Sequence, residues 1–271
     1  FEKKSFGITV IVALLLASSL SISTPSAATG GGQDLGHSSI AAAPKPTHAD
    51  WSQAGYPGEI PYSTDHVINV KDVGAVGDGA TDDYATIQAA INGASTPAVI
   101  FFPTGRYRFE SRLELKSGVV LRGEGYKLTH LECLNTGGCI NMAGARTGGF
   151  VSIQSGLAKG SNQITVADAS SFTVSQGAEI EQDDIVPASA SWGEDSVGQM
   201  VKILAIAGNT LTIDPPLHIG YSSDKNPRVR PVRYVEQVGI EDLHLKRLDS
   251  GSEGGNNISI TRAADCWIRR V

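Results

Sequence analysis

Two short segments near the end of the sequence carry the residues with the clearest chemical capability. Polar and apolar residues alternate in Asp242-Leu243-His244-Leu245-Lys246, and they alternate again in Asp265-Cys266-Trp267-Ile268-Arg269. An extended chain sends successive side chains to opposite faces. If Leu243 and Leu245 point inward with Cys266 and Ile268 stacked on them, Asp242, His244 and Lys246 form an outward row beneath Asp265, Trp267 and Arg269. That register puts His244 under Trp267 and Lys246 under Arg269. An aromatic ring stacks on a sugar, and cations neutralise a uronate carboxylate. Once that charge is quenched, a base within reach abstracts the neighbouring proton, which is what β-elimination requires. His244, Lys246 and Arg269 are therefore the catalytic candidates, and Trp267 and Asp242 the candidates for binding substrate. A solvated charged face is also the ordinary state of an exposed strand.

A second polar cluster, Gly77-Asp78-Gly79 followed by Thr81-Asp82-Asp83, offers hard carboxylate oxygens to Ca²⁺ through Asp78, Asp82 and Asp83. The same residue types build a glycine turn and the acidic start of a helix without any ligand. Asp183, Asp184, Trp192, Glu194 and Asp195 share a long acidic stretch in which Trp192 is a further platform for a sugar. Gly123-Glu124-Gly125 completes no dinucleotide fingerprint and is followed by no helical pattern. Three cysteines occur with no CxxC pair, and the six histidines are dispersed, which argues against a zinc site. Cys133 and Cys139 flank the turn residues Asn135 to Gly138 and lie within bridging reach, whereas Cys266 sits in an alternating strand pattern as a buried thiol. Ca²⁺ is the one cofactor these patterns admit, and none is demanded.

The elements that position these residues follow from composition and period. The chain has 271 residues, 41% hydrophobic and 18% charged, with 31 glycines and only 6% aromatics, which suits a packed core of strands joined by many tight turns. Net charge is −6 and no Lys/Arg block occurs, so nucleic acid is not an expected partner. Lys3 and Lys4 precede an apolar run from Ile8 to Leu20 that is too short for a span, and Ser26-Ala27-Ala28 follow at cleavage spacing. Residues 1–28 read as a signal peptide, with a secreted product, extracellular or periplasmic, that has no integral membrane segment after cleavage. Residues 29–62, rich in Gly, Ala, Ser and Pro, read as a flexible linker. From residue 63 onward the texture is that of one domain. Tyr84, Ile87, Ala90, Ile91 and Ala94 share one face of a helix from Asp83 to Ala94. Short alternating segments follow (AVIFFP, RYRFE, RLELKSG, VVLRGEG, GCINMA). Val99, Val119 and Ile140 recur at intervals of 20 and 21 residues. Strands at that period with no intervening helix fit the coils of a parallel β-helix, with those three residues in one inward column. Between about 152 and 218 the rhythm gives way to antiparallel pairs, with Gly208-Asn209 as a hairpin turn, so a small β insertion is expected there. The coil pattern resumes at VGIEDLHLKRL and ends on the unclosed strand CWIRRV, so the sequence reads as truncated, with further coils expected past Val271.

VKDVGAVGDGATDDYATIQAAI, then VIFFPTGRYRF and LELKSGVVLRGEG, resemble the N-terminal signature of the pectate lyase superfamily. VGIEDLHL and AADCWIRRV resemble later coils of exported members. The resemblance implies an all-β, right-handed parallel β-helix with an N-terminal capping helix. It also implies an exported protein active on polysaccharide, by elimination or hydrolysis of pectin-like or other uronate-containing chains. Elimination is favoured, because hydrolysis needs two flanking carboxylates and this segment shows a base and cations instead. The rival expectation is a non-catalytic glycan-binding β-helix of adhesin or tailspike type. The downstream catalytic signature of polygalacturonases, which combines paired aspartates with a Gly-His-Gly, is absent from these 271 residues.

Overall fold

The computed structural model describes residues 56–135, 137–183, 197–248 and 256–271. The leader segment, Trp51, Asp184, Trp192, Glu194 and Asp195 lie outside the described residues. The chain folds as a right-handed parallel β-helix whose coils contribute strands to three main parallel sheets and to a two-stranded parallel pair, Val235–Glu236 with Ala263–Ala264. Sheet 1 holds Val67–Asn69, Ala98–Phe102, Val119–Gly123, Gly239–Glu241 and Trp267–Arg269 side by side. Sheet 2 holds Asp78–Asp82, Gly105–Phe109, Thr129–Cys133 and His244–Arg247. Sheet 3 holds Leu113–Leu115, Ile140–Ala143 and Ile258–Thr261.

Alternation then decides what lies inside. Ala98, Ile100 and Phe102 from sheet 1, Tyr107, Phe109, Leu131 and Leu245 from sheet 2, and Leu113, Ile140 and Met142 from sheet 3 share one buried core. Each fully buried aliphatic or aromatic side chain contributes about 1.5–3 kcal/mol, so the stack is held chiefly by these columns. Their membership differs from the one the period suggests. Val119 pairs with Ala98 and faces inward, Val99 pairs with Val120 and faces outward, and Ile140 lies in sheet 3 between Leu113 and Ile258. One coil measures 21 residues from Ile100 to Leu121, 24 from Tyr107 to Leu131 and 27 from Leu113 to Ile140. The corners between sheets differ in length, so equal spacing in sequence is not equal register in space.

One helix, α1 (Tyr84–Gly93), buries Ile87 and Ile91 in the same core, with Tyr84, Ala90 and Ala94 beside them. It occupies the place in the first coil where sheet 3 would need another strand. The Gln88 amide completes the substitution: its Nε2 donates to the Glu114 carbonyl at 3.0 Å and its Oε1 accepts from the Glu114 amide at 2.9 Å. Those contacts replace the ladder bonds of a missing neighbour and blunt an open sheet edge. Lys116 closes the other end of α1 on the carbonyls of Asn92 and Ala94. The Cys133–Cys139 disulfide forms as the spacing suggests, with Cα atoms 5.6 Å apart, and Cys266 is a partly buried free thiol. Burial pushes the Cys266 thiol above its ordinary pKa.

The antiparallel insertion is a closed barrel. Val151–Ser155, Gln163–Val166, Thr210–Asp214, Gly198–Ala207, Gly177–Glu181 and Arg228–Arg233 pair in that order, and the last returns to pair with the first. Its participation runs to Arg233, past the expected limit near 218, because Arg228–Arg233 supplies the closing strand and removes both edges at once. Ala207 and Thr210 pair across the expected Gly208-Asn209 turn. Ile153, Ile164, Phe172, Ile180, Ile203, Leu211 and Val229 fill a core of its own, separate from that of the coils. Arg146, at the entry, pairs directly with Val232 at the exit. Residues 147–231 should therefore be replaceable by an Asn-Gly turn, since a two-residue turn joins paired neighbours. The shortened protein is expected to remain soluble with a cooperative thermal transition and the circular dichroism of parallel strands. A molten or aggregating product would show that the coils depend on the barrel. Among the described residues no helix is long and apolar enough to cross a membrane.

Candidate functional site

The two segments that suggested an outward ladder belong to different sheets. His244–Arg247 lies in sheet 2 beside Thr129–Cys133, so His244 neighbours His130 and Lys246 neighbours Glu132. Trp267–Arg269 lies in sheet 1, where Trp267 neighbours Gly239 and Arg269 neighbours Glu241. His244 is thus not under Trp267, nor Lys246 under Arg269. The separation of Leu243 and Cys266 is not one full coil: Ile240 and Ile268 are the true register partners.

On sheet 1 the outward side is covered. Trp267 is only 6% exposed and packs with Val99, Val120, Phe101, Tyr56 and Ile60. Tyr56 meets the indole edge-on at 5.3 Å. Residues from Tyr56 to Ser63 therefore lie as a strap across this face, although the composition of 29–62 reads as a flexible linker. Gly239 makes room for the indole, since a Cβ there would stand 2.3 Å from its ring. Next to it a charged row is buried: Arg122 Nε and Arg269 Nη2 each donate to Glu241 at 2.5 Å, and Glu241 is fully buried. Arg122 Nη1 also donates to the Ser63 carbonyl at 2.6 Å, and its guanidinium lies 3.8 Å over the Tyr62 ring. Trp267 and Arg269 are thus parts of a packed, ion-paired layer under the strap, where no sugar face reaches the indole in this conformation. Asp242 occupies the corner with φ +57° and is bonded by both Nε and Nη2 of Arg270, which holds its carboxyl below the usual range.

The carboxylates of the first coil face backbone amides. Asp83 is 2% exposed and accepts from the amides of Val76 and Gly77 at 2.7 and 3.0 Å. Asp78 accepts from the Ala80 and Thr81 amides and the Thr81 hydroxyl, and the Thr81 amide leads in holding its pKa down. Asp82 accepts from the amides of Tyr84 and Glu110. Gly77, at φ +68°, lies against Tyr107, where a Cβ would come within 2.8 Å of the ring. Burial pushes the Tyr107 phenol up to about 12, with the charges of Asp83 and Glu124 adding to it. Among the described residues no group of three or more His, Cys, Asp or Glu is gathered to hold a metal ion.

Sheet 2 leaves its outward side in solvent, and its side chains are polar in two rows. Asp78, Arg106, His130 and His244 follow one another across four strands, and Asp82, Arg108, Glu132 and Lys246 form the second row. Tyr107, Leu131 and Leu245, between these rows in sequence, point inward, which is why the rows point out. Arg106 holds Glu132 Oε1 through Nε at 2.9 Å and Nη2 at 2.6 Å, its own side chain 62% exposed above a carboxylate only 5% exposed. Lys246 is exposed and makes no ion pair with any described residue. His130 and His244 meet Nδ1 to Nδ1 at 3.0 Å. Of this face the sequence reading singles out His244, Lys246, Asp78 and Asp82, while Arg106, His130 and Glu132 escape it. The alternation in RYRFE and THLEC marks them as outward, but only strand register places them beside His244.

The profile of the family described as rhamnogalacturonase A/epimerase, pectate lyase-like, matches residues 67–263. The chain belongs to that family. Over 78 residues it is 40% identical to mannuronan C5-epimerase AlgE1 of Azotobacter vinelandii, covering 26% of this chain and 6% of that protein. Over 62 residues it is 36% identical to a probable glucan endo-1,3-beta-glucosidase of Arthroderma benhamiae, covering 23% of this chain and 7% of the relative. The chain thus spans less than a tenth of these relatives' length. Among solved structures, the tailspike gp61 of Pseudomonas phage phi297 superposes over 76% of this chain and 39% of its own with TM-score 0.55 at 20% identity, a likeness of fold.

Proposed function

We propose that this family member is a secreted β-helix protein that binds a uronate-containing polysaccharide on the outward face of sheet 2 and acts on it by proton abstraction beside the carboxylate. The carrying observation is the pair of outward polar rows, in which Arg106 and Lys246 flank His130 and His244. A flat parallel face of this kind matches an extended chain, and its cations supply charge where an anionic sugar needs it even though the protein as a whole is acidic. Relatives named for a mannuronan epimerase and a glucan glucosidase support a polysaccharide partner, and the first of them an acidic one. Export is proposed from the leader pattern of residues 1–28.

Lys246 is the position to test. Arg106→Ala would leave the Glu132 carboxylate buried and unpaired, confusing binding with stability. Among the described residues Lys246 has no such dependent partner. Lys246→Glu should shift stability by no more than about 0.5 kcal/mol, and should weaken binding to polymannuronate or polygalacturonate at least about tenfold, or about 1.4 kcal/mol. Binding to a neutral glucan should stay level, and the anionic affinity should fall with added salt. Equal affinities for acidic and neutral chains in the parent protein would overturn the reading. Following the ultraviolet band of unsaturated uronates, reducing ends and the epimer ratio together separates elimination, hydrolysis, epimerisation and simple binding.

A further inference from the structure

We propose that His130 and His244 form a two-imidazole site for a divalent ion of tetragonal preference, Cu²⁺ first and Ni²⁺ second. It concerns two imidazoles of the same face but does not rest on the glycan reading. The two residues come from successive coils of sheet 2, 114 positions apart in sequence, and their rings stand at 78° with centroids 5.2 Å apart. His130 Nε2 lies 3.2 Å from the Lys127 carbonyl. A carbonyl only accepts, so Nε2 carries the proton and the Nδ1 of the neutral ring presents a lone pair. The same kind of carbonyl bond orients metal-bound histidines and selects their tautomer. Facing that lone pair at 3.0 Å is His244 Nδ1, which donates to it in that tautomer and offers a second lone pair once its proton moves to Nε2.

The donor set favours the ion, and the separation lets one ion meet both rings. Two nitrogens 3.0 Å apart, each about 2.0–2.1 Å from one metal, subtend roughly 95°. That is near the cis angle of a tetragonal ion, and imidazole nitrogens bind Cu²⁺ ahead of Ni²⁺ and Zn²⁺. His244 is exposed and His130 partly so, leaving room for the modest ring rotation that aims both lone pairs at one ion. With no third side-chain ligand gathered among the described residues, water takes the other positions.

The test uses the whole chain without an affinity tag, titrated with CuCl₂ at neutral pH in a non-coordinating buffer. Copper binding is followed calorimetrically and by the nitrogen hyperfine structure of the frozen-solution paramagnetic spectrum. The expected result is one copper of highest affinity with two nitrogen ligands. Either His130→Gln or His244→Gln should weaken it at least tenfold, His66→Gln and His218→Gln should not, and Zn²⁺ should bind more weakly than Cu²⁺. Circular dichroism confirms that the exposed substitutions leave the fold intact, and the two variants check one another. Retention of the site in both variants, loss distributed over all four of the substituted histidines, or a spectrum with one nitrogen would each overturn the assignment.

Discussion

Glu241→Ala should destabilise the protein by about 3–5 kcal/mol, read as a fall in the urea midpoint with unchanged slope. The carboxylate is fully buried and receives Arg122 and Arg269, each at 2.5 Å, with the Trp267 indole nitrogen 3.4 Å away. Arg122 is itself only 5% exposed. Removing the anion leaves a buried guanidinium without its counter-charge, and an uncompensated buried ion is far costlier than the intact pair is favourable. A complete replacement should behave in the opposite way. Arg122→Met, Glu241→Leu and Arg269→Leu together remove the desolvation cost along with the attraction, so the triple variant should recover most of the loss. A single variant as stable as the parent, or a triple variant worse than Glu241→Ala, would show that the row is not acting as a coupled buried network.

Removing the strap should be the next largest effect. With Trp51→Phe and Trp192→Phe as background, Trp267 is the single tryptophan, since the sequence holds three. Deleting everything up to Tyr62 from that background uncovers Trp267, Val99, Val120 and Phe101, and it takes away the ring over the Arg122 guanidinium. One large apolar side chain returned to water costs about 1.5–3 kcal/mol and the lost cation–π contact about 0.5–2 kcal/mol. A total near 3 kcal/mol is expected, with Trp267 emission moving to longer wavelength. The milder double variant Tyr56→Ala, Ile60→Ala should move both quantities in the same direction. If emission and stability stay where they were, the strap does not hold this face closed.

The consequence reaches the site. With sheet 1 covered by the strap, the open outward face of sheet 2 carries Arg106, His130, His244 and Lys246. Trp267 and Arg269, which sequence alternation had joined to His244 and Lys246, serve the packing of the neighbouring sheet instead.

The sequence by itself determined the class of fold and the pieces of it. Alternation in AVIFF, RYRF, LEL and VVLRG marks strands whose inward residues recur coil after coil, because burial on one face of a pleated strand repeats every second residue. The helix over Ile87 and Ile91, the Gly208-Asn209 turn and the Cys133–Cys139 bridge are local, so short-range spacing suffices to find them. The outward direction of His244 and Lys246 is local too. What stands beside them is not. In a three-sided coil the neighbour across a sheet is set by the summed length of three corners, and a barrel of some eighty residues intervenes between Leu121 and its register partner Ile240. Equal spacing therefore puts Val99, Val119 and Ile140 in one column, although Val99 faces outward and Ile140 belongs to sheet 3, and it pairs Trp267 with the wrong sheet. Composition likewise could not tell that residues after Tyr56 lie down on sheet 1, because the apolar surface they cover is assembled from Val99, Val120 and Trp267 on three different coils. Only the tertiary structure brings those residues together, and only it brings His130 to His244.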